Sequence, residues 1–164
     1  MSRLPFRAHR AAVTFALLAL AVPAPAAPPQ QAPSRGDVVP VFETTSIDGQ
    51  PHTVEFPKDS KTVLLFFLSG CPSCHKMIPE WNRAYERRPE GLDVVGVIMD
   101  QEPPGFWEAR SIVFPVLRAP GRQFLRNLNV NRAPLTLRVT GGGTIQDVAL
   151  GVVDPIRLGE LFKP

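Results

Sequence analysis

At 164 residues, the chain has the length of one domain rather than two. Its composition, 44% hydrophobic and 20% charged, excludes an acidic disordered chain and a polar low-complexity one. The formal net charge of +3 taken alone points to nucleic acid or a membrane surface. Yet residues 1–26 hold Arg3, Arg7 and Arg10 and no acid, which leaves residues 27–164 with 15 of the 18 bases and all 15 acids. The excess belongs to the first segment. A neutral remainder without interleaved exposed aromatics argues against nucleic acid as a partner.

The three arginines precede an apolar run of 12 residues, 11–22, and then Ala24-Pro25-Ala26. Twelve residues fall short of the roughly 20 that span a bilayer as a helix. Basic, apolar and small residues in that order make a secretory signal peptide over residues 1–26. The same pattern, if uncleaved, serves as a membrane anchor. Residues 27–36 contain three prolines and read as a Pro-rich linker. The globular domain then runs over residues 37–164.

Within it, Val38–Ile47 and Thr53–Phe56 flank Asp48-Gly49 and predict an N-terminal β-hairpin. Thr62–Leu68 is a continuous apolar, β-prone run, so it should be a central strand buried on both faces. Residues 71–88 predict a helix, because Cys74, Met77, Ile78, Trp81, Ala84 and Tyr85 recur every three or four residues. Pro72 suits its first turn and Pro79 should kink it. Leu92–Met99 is a second buried strand. Short helices follow at Pro104–Ser111 and Pro120–Asn129, the latter with Phe124, Leu125 and Leu128 inward. Leu135–Thr140 and Thr144–Leu150 predict an antiparallel hairpin around Gly141-Gly142-Gly143. Asp154 should cap a last helix through Phe162. This order predicts an α/β fold, with a mixed central sheet flanked by helices on both faces and an extra N-terminal β-hairpin.

The two cysteines are Cys71 and Cys74, in Cys-Pro-Ser-Cys at the junction of a buried strand and a helix. Exported chains meet an oxidising compartment, where paired cysteines become disulfides. A purely structural bridge gains most from closing a long loop, and this pair closes almost none. Two cysteines with only His75 nearby cannot build a four-ligand zinc site, so no metal is expected. Cys71-Pro-Ser-Cys74-His75 also fits the C-x-x-C-H haem-attachment pattern, but it follows a buried strand in a strand–helix alternation. A peroxide-reducing cysteine would want a Thr three residues earlier, where Leu68 stands. Reversible redox exchange fits best. At a helix N-terminus, Cys71 meets unpaired N–H groups and the dipole, which favour a thiolate. Cys74, one turn on, is placed to attack a mixed disulfide.

With these residues in place, 37–164 resembles the exported thioredoxin-like proteins of the TlpA/ResA type, of the redoxin family. It is also similar to the thioredoxins of cytochrome c maturation and to MauD-type accessory proteins. The resemblance rests on Gly36 to Phe42 and Ile47-Asp48-Gly49, the Val63–Ser69 strand, Cys71–Cys74 and Pro79. Phe114-Pro115-Val116-Leu117 and Ala133-Pro134-Leu135-Thr136 complete it. It implies a thioredoxin-like fold, with Cys71 as nucleophile and Cys74 as resolving thiol. Ala133 and a cis Pro134 would face the cysteines and pair with substrate. No cofactor beyond the Cys71–Cys74 pair is implied. The implied activity is periplasmic thiol–disulfide exchange, in the reductase direction. Its substrates would be disulfide-bearing exported proteins, including apocytochrome c or other redox-enzyme precursors, with recharging by a membrane electron donor. The alternative is a non-turnover accessory or chaperone-like module for maturing a redox or metal protein.

Three departures bear on mechanism. Where thioredoxins carry a buried acid six residues before the first cysteine, this chain has Leu65. Where ResA-type proteins often carry a glutamate three residues after the second, it has Met77. Either water takes the proton of the resolving thiol, or an acid such as Glu55 or Glu80 arrives from elsewhere, or turnover is slow. The tryptophan that usually precedes the first cysteine is Gly70 here, which opens the surface beside Cys71 or simply makes a turn.

Two further residues are candidate modulators. His75 falls on the helix face of Cys71, where a protonated imidazole would favour the thiolate, unless it is a solvated surface residue. Residues 37–108 hold 12 acids against 6 bases, whereas 109–146 hold six arginines and no acid. Arg132, two residues before Pro134, belongs to that stretch. Its arginines form either a basic rim that steers an acidic partner or a solvated face paired with the acidic half.

Overall fold

A computed structural model describes residues 32–163. The leader expected over 1–26, and the linker up to residue 31, lie outside the described residues. Two β-strands come first, β1 (Phe42–Thr45) and β2 (Pro51–Val54), paired antiparallel as a hairpin. Then follow β3 (Lys61–Phe67), α1 (Pro72–Glu86), β4 (Leu92–Ile98), α2 (Phe106–Ala109), β5 (Val116–Arg118) and α3 (Arg122–Asn127). The chain ends with β6 (Leu135–Thr140), β7 (Ile145–Leu150) and α4 (Pro155–Leu161).

Five strands form one mixed sheet in the order β5-β4-β3-β6-β7. β3 pairs parallel with β4 and antiparallel with β6, and so holds the centre. Its six residues Thr62–Phe67 are all buried, as a continuous apolar run requires. Alternation then divides the core. Val63, Leu65 and Phe67 face α1 and α4, with Met77, Ile78, Trp81, Leu158 and Leu161. Leu64 and Phe66 face the other side, with Phe42, Val54, Phe56, Leu128 and Val130. Helices thus cover both faces, and the hairpin completes the second.

Trp81 is the largest fully buried side chain. It stacks edge-on against Phe114 and at a tilt against Phe67, and its Nε1–H donates to Thr136 Oγ1 at 3.1 Å. A buried indole N–H needs such a partner, and β6 supplies it across the central strand pair.

Three differences from the sequence reading have physical causes. The single first strand expected over Val38–Ile47 is split. Gly36 N–H donates to Ile145 O, and Ile145 N–H to Asp37 O, so this stretch runs along the start of β7. Pro40 then interrupts it, having no N–H to give a ladder. Arg35, the last part of the expected tether, pairs with Asp147 on β7. β5 was not expected as a strand at all. It has three residues, too few to show a period, and Pro115 precedes it. The Gly141–Gly143 link is a short 3-10 turn, tightly packed. A Cβ on Gly141 would overlap the Lys58 backbone carbonyl, so glycine is required there. Asp154 does cap α4, its Oδ1 accepting from Arg157 N–H at 2.9 Å.

Replacing Thr136 by Val keeps the volume but strands the indole N–H of Trp81 in the core. The expected cost is about 1–3 kcal/mol of stability, read as a lower denaturant midpoint with an unchanged slope.

Candidate functional site

The site forms where β3 gives way to α1. Cys71 is the N-cap of α1, with an extended backbone (φ −90°, ψ 113°), and Pro72 occupies the first turn. Its Sγ takes the place a serine oxygen usually holds, accepting the Cys74 N–H at 3.1 Å. The same sulfur lies 3.8 Å from the Ala133 carbonyl, to which the thiol donates. The Ala133–Pro134 peptide bond is cis. Pro134 is buried, and its carbonyl accepts the Gly151 N–H at 2.8 Å, which pins this loop to the end of β7.

The two sulfurs differ in surroundings. Cys71 is half-buried and Cys74 fully buried, and both are free thiols. Burial pushes the Cys74 thiol up to about 12, and its contact with Cys71 adds to the rise. The buried thiol therefore keeps its proton at neutral pH while the outer sulfur meets solvent. An N–H aimed at Cys71 Sγ stabilises negative charge on that atom, so the arrangement can place a nucleophile outside and a protonated partner behind it.

His75 is not a free surface residue. Its Nε2 donates to the Ser69 carbonyl at 2.6 Å, and its Nδ1 accepts from Arg110 Nη2 at 3.1 Å. Both ring nitrogens are bonded in the tautomer that carries its proton on Nε2. The ring ties α1 to the loop before Cys71 and to the segment after α2. Arg132 is exposed, with no ion pair among the described residues, directly before Ala133. The other arginines of the acid-free stretch are mostly engaged. Arg118 pairs with Glu102, Arg126 with the Gln123 side chain, and Arg138 with the Glu160 carbonyl. Gly70 is exposed, its φ is not positive, and a Cβ there would meet nothing within 4 Å. Neither backbone nor space demands glycine, so the surface beside Cys71 is simply open.

Leu65 and Met77, at the two positions where an acid was missing, are fully buried in the apolar core. Neither candidate substitute makes a hydrogen bond to the motif. Glu55 is exposed beyond β2, and Glu80 pairs with Arg83 on α1. The carboxylate beside the motif is one the sequence reading passed over, Asp100. It accepts Ser69 N–H and Ser69 Oγ–H, both at 2.8 Å. The signal was its position directly after a buried parallel strand, but choosing it required the β3–β4 register.

Asp100 also lines a cleft of about 680 Å³ at the ends of β4 and β5, with Glu102, Arg118 and Arg122. There Arg118 grips both oxygens of Glu102 at 2.8 Å and holds its carboxyl down to about 2. A depressed carboxyl contributes stability that is complete above its ordinary 4.5 and fades as pH falls toward 2.

Two tests follow from this geometry. In reduced Cys71→Ser protein, Cys74 should resist alkylation near neutral pH and react only on strong alkalinisation or unfolding, as read by mass spectrometry. In Arg118→Met, the loss of stability between about pH 6 and about pH 3 should be smaller than in the parent chain, as read from urea midpoints.

Comparison with known proteins agrees with the geometry. The Redoxin family model matches residues 34–156. The sporulation thiol-disulfide oxidoreductase A of Bacillus subtilis is 26% identical over 138 residues, spanning 79% of this chain and 83% of that protein. The crystal structure of StoA from Bacillus subtilis aligns with a TM-score of 0.64 at 22% identity, over 76% of this chain and 97% of that one. A putative thiol:disulfide interchange protein DsbE from Chlorobium tepidum aligns at 0.63 and 22% identity, over 79% and 94%. The pneumococcal exposed lipoprotein thioredoxin of Streptococcus pneumoniae aligns at 0.64 and 19%, over 74% and 98%. The fold is thioredoxin-like, with the two-stranded hairpin added before the central sheet. No helix among the described residues is long and apolar enough to cross a membrane. With its family model matched across most of its length, the chain belongs to the Redoxin family.

Proposed function

We propose that this protein is a periplasmic thiol–disulfide oxidoreductase that reduces disulfides on exported proteins. One observation carries the reading. The outer sulfur caps a helix and accepts the Cys74 N–H, while the inner thiol is buried behind it. Cys71 attacks a substrate disulfide as the thiolate, forming a mixed disulfide and releasing one substrate thiolate. Cys74 then attacks Cys71 Sγ, closing the Cys71–Cys74 disulfide and releasing the second. Two electrons pass to the substrate, so the cysteine pair itself is the redox group and no cofactor enters. A membrane electron donor returns the pair to the dithiol.

Substrate lies along Ala133-Pro134, the loop that faces Cys71, with Arg132 at its edge to favour acidic segments. Exported chains with exposed disulfides fit this open surface, apocytochrome c and other redox-enzyme precursors among them. The leader-like residues 1–26 support an envelope location, cleaved or anchored. So does the similarity to an exposed lipoprotein thioredoxin of Streptococcus pneumoniae.

Cys71→Ser should abolish reduction of a protein disulfide and trap nothing. Cys74→Ser should accumulate a mixed disulfide through Cys71, visible on a non-reducing gel. The equilibrium potential against glutathione should lie near the thioredoxin end of the scale, about −270 mV, and not near the DsbA end, about −120 mV. Reductase activity retained in Cys71→Ser, or a potential at the oxidising end, would overturn the reading.

A further inference from the structure

We propose that the groove between the C-terminal half of α1 and α4 is a second docking site, which holds an acidic segment with apolar side chains on the protein whose disulfide is exchanged. The proposal deepens the exchange reaction proposed above and rests on it for the identity of the partner.

The groove has a volume of about 420 Å³. Pockets that hold a ligand span roughly 300–1,000 Å³. Ala84 on α1 and Leu158 and Phe162 on α4 give it an apolar floor, and Arg83, Arg87 and Lys163 stand at its edge. Gly159 opens it. This residue lies inside α4, where glycine is the poorest helix former short of proline. Its φ is not positive, and a Cβ there would meet nothing within 4 Å. Neither backbone nor packing calls for glycine, and the missing side chain leaves room between the helices.

Charge and apolar exposure say what enters. Glu80 pairs with Arg83, and Glu160 with Arg157. Arg87 and Lys163 are exposed and have no ion pair among the described residues. Cations without an acid beside an apolar floor favour an acidic segment that carries apolar side chains. The chain's own first segment is the wrong occupant, since Arg3, Arg7 and Arg10 would meet like charge.

The fold connects this groove to the cysteines on both walls. Gly151 N–H bonds the Pro134 carbonyl, so the chain after β7 starts beside the cis-proline loop. Three of the exposed large apolar side chains, Leu150, Val152 and Ile156, fall in this one stretch. Ile156 is 81% exposed and stands three residues from Gly159, hence on the same side of α4. These residues lead from the cis-proline loop to the groove. On the other wall, Cys71 caps the helix that carries Arg83 and Arg87. At a rise of 1.5 Å per residue, Glu80 and Arg87 lie about 14 Å and about 24 Å along α1 from that cap. An extended chain advances about 3.3 Å per residue, so a substrate held at Cys71 reaches the groove about four to seven residues from its own cysteine.

The test uses the reduced full-length chain and three peptides. They differ only in a stretch placed at that separation from the cysteine: Glu-Leu-Leu-Glu, Lys-Leu-Leu-Lys or Glu-Ser-Ser-Glu. Each is made in two forms. One has serine for the cysteine and a fluorescent label, and reads binding by anisotropy. The other has the cysteine in a disulfide with a chromogenic aromatic thiol, and reads exchange. Glu-Leu-Leu-Glu should bind about tenfold tighter than either control, and more weakly as salt rises. Its exchange should show a KM lower by a similar factor and an unchanged kcat. Gly159→Leu, which fills the groove, should fold at least as well as the parent by urea midpoint and lose the preference over Glu-Ser-Ser-Glu. Arg87→Glu with Lys163→Glu should lose the preference over Lys-Leu-Leu-Lys. Both variants should react with a small aromatic disulfide within about twofold of the parent. Equal binding of the three peptides, or a preference that survives both variants, overturns the assignment. Binding to phosphatidylglycerol vesicles, or self-association, that Gly159→Leu abolishes while the peptides show no preference would give the groove to a membrane or to a second copy, and overturns it as well. Tighter binding of Glu-Leu-Leu-Glu with no exchange of any disulfide would instead refute the exchange reaction while the docking site stands.

Discussion

The hydrogen bond from the Cys74 N–H to Cys71 Sγ organises this molecule. A helix leaves its first N–H groups without partners, and here a sulfur accepts one of them. The bond requires Cys71 to stand just outside the helix in an extended conformation and Cys74 to stand inside its first turn. That in turn requires the end of β3 to be fixed, which burial on both faces of the sheet provides. Asp100 holds the turn from one side through Ser69, and His75 holds the Ser69 carbonyl from the other. The loop of Ala133 closes over the sulfur. These contacts come from α1, from the chain after β4 and from the loop before β6, and they meet because β3 lies between β4 and β6.

From the same turn comes the chemical inequality of the two thiols. They are three residues apart and face different media. Cys71 sits at the opening beside Gly70. Cys74 points into the core with Met77, Ile78 and Trp81, where an ionised sulfur is costly. Exchange chemistry needs this division, since the first thiol must be nucleophilic and the second must wait. In the proposed exchange, burial keeps Cys74 protonated until the second step.

Charge shows how local sums mislead. Six arginines without an acid look like one basic surface when read along the chain. In space they divide among separate tasks. Arg118 closes on Glu102 beside the cleft, Arg110 serves His75, and Arg126 and Arg138 satisfy nearby polar groups. Arg132 alone stands at the cis-proline loop, exposed. What remains of the rim is one residue beside the cis-proline loop, and one, Arg122, at the cleft.

Composition and pattern alone determined much here. The +3 lies in the first segment, and residues 27–164 balance. The buried central strand, the apolar stripe of α1, the cysteine pair at its start and the cap of α4 are local features, written in spacings of two, three and four. Tertiary structure decided the rest, because it depends on register between distant strands. Three-residue β5 carries no period and exists only as a neighbour of β4. The split of the first strand depends on pairing with residues more than 100 positions away. His75 became a bonded strut only once Arg110 and Ser69 were folded against it. Asp100 stands 29 residues from Cys71 in sequence, and only parallel pairing of β3 with β4 brings it beside Ser69. The carboxylate bonded beside the motif comes from just past the end of the neighbouring strand, a placement that no local period encodes.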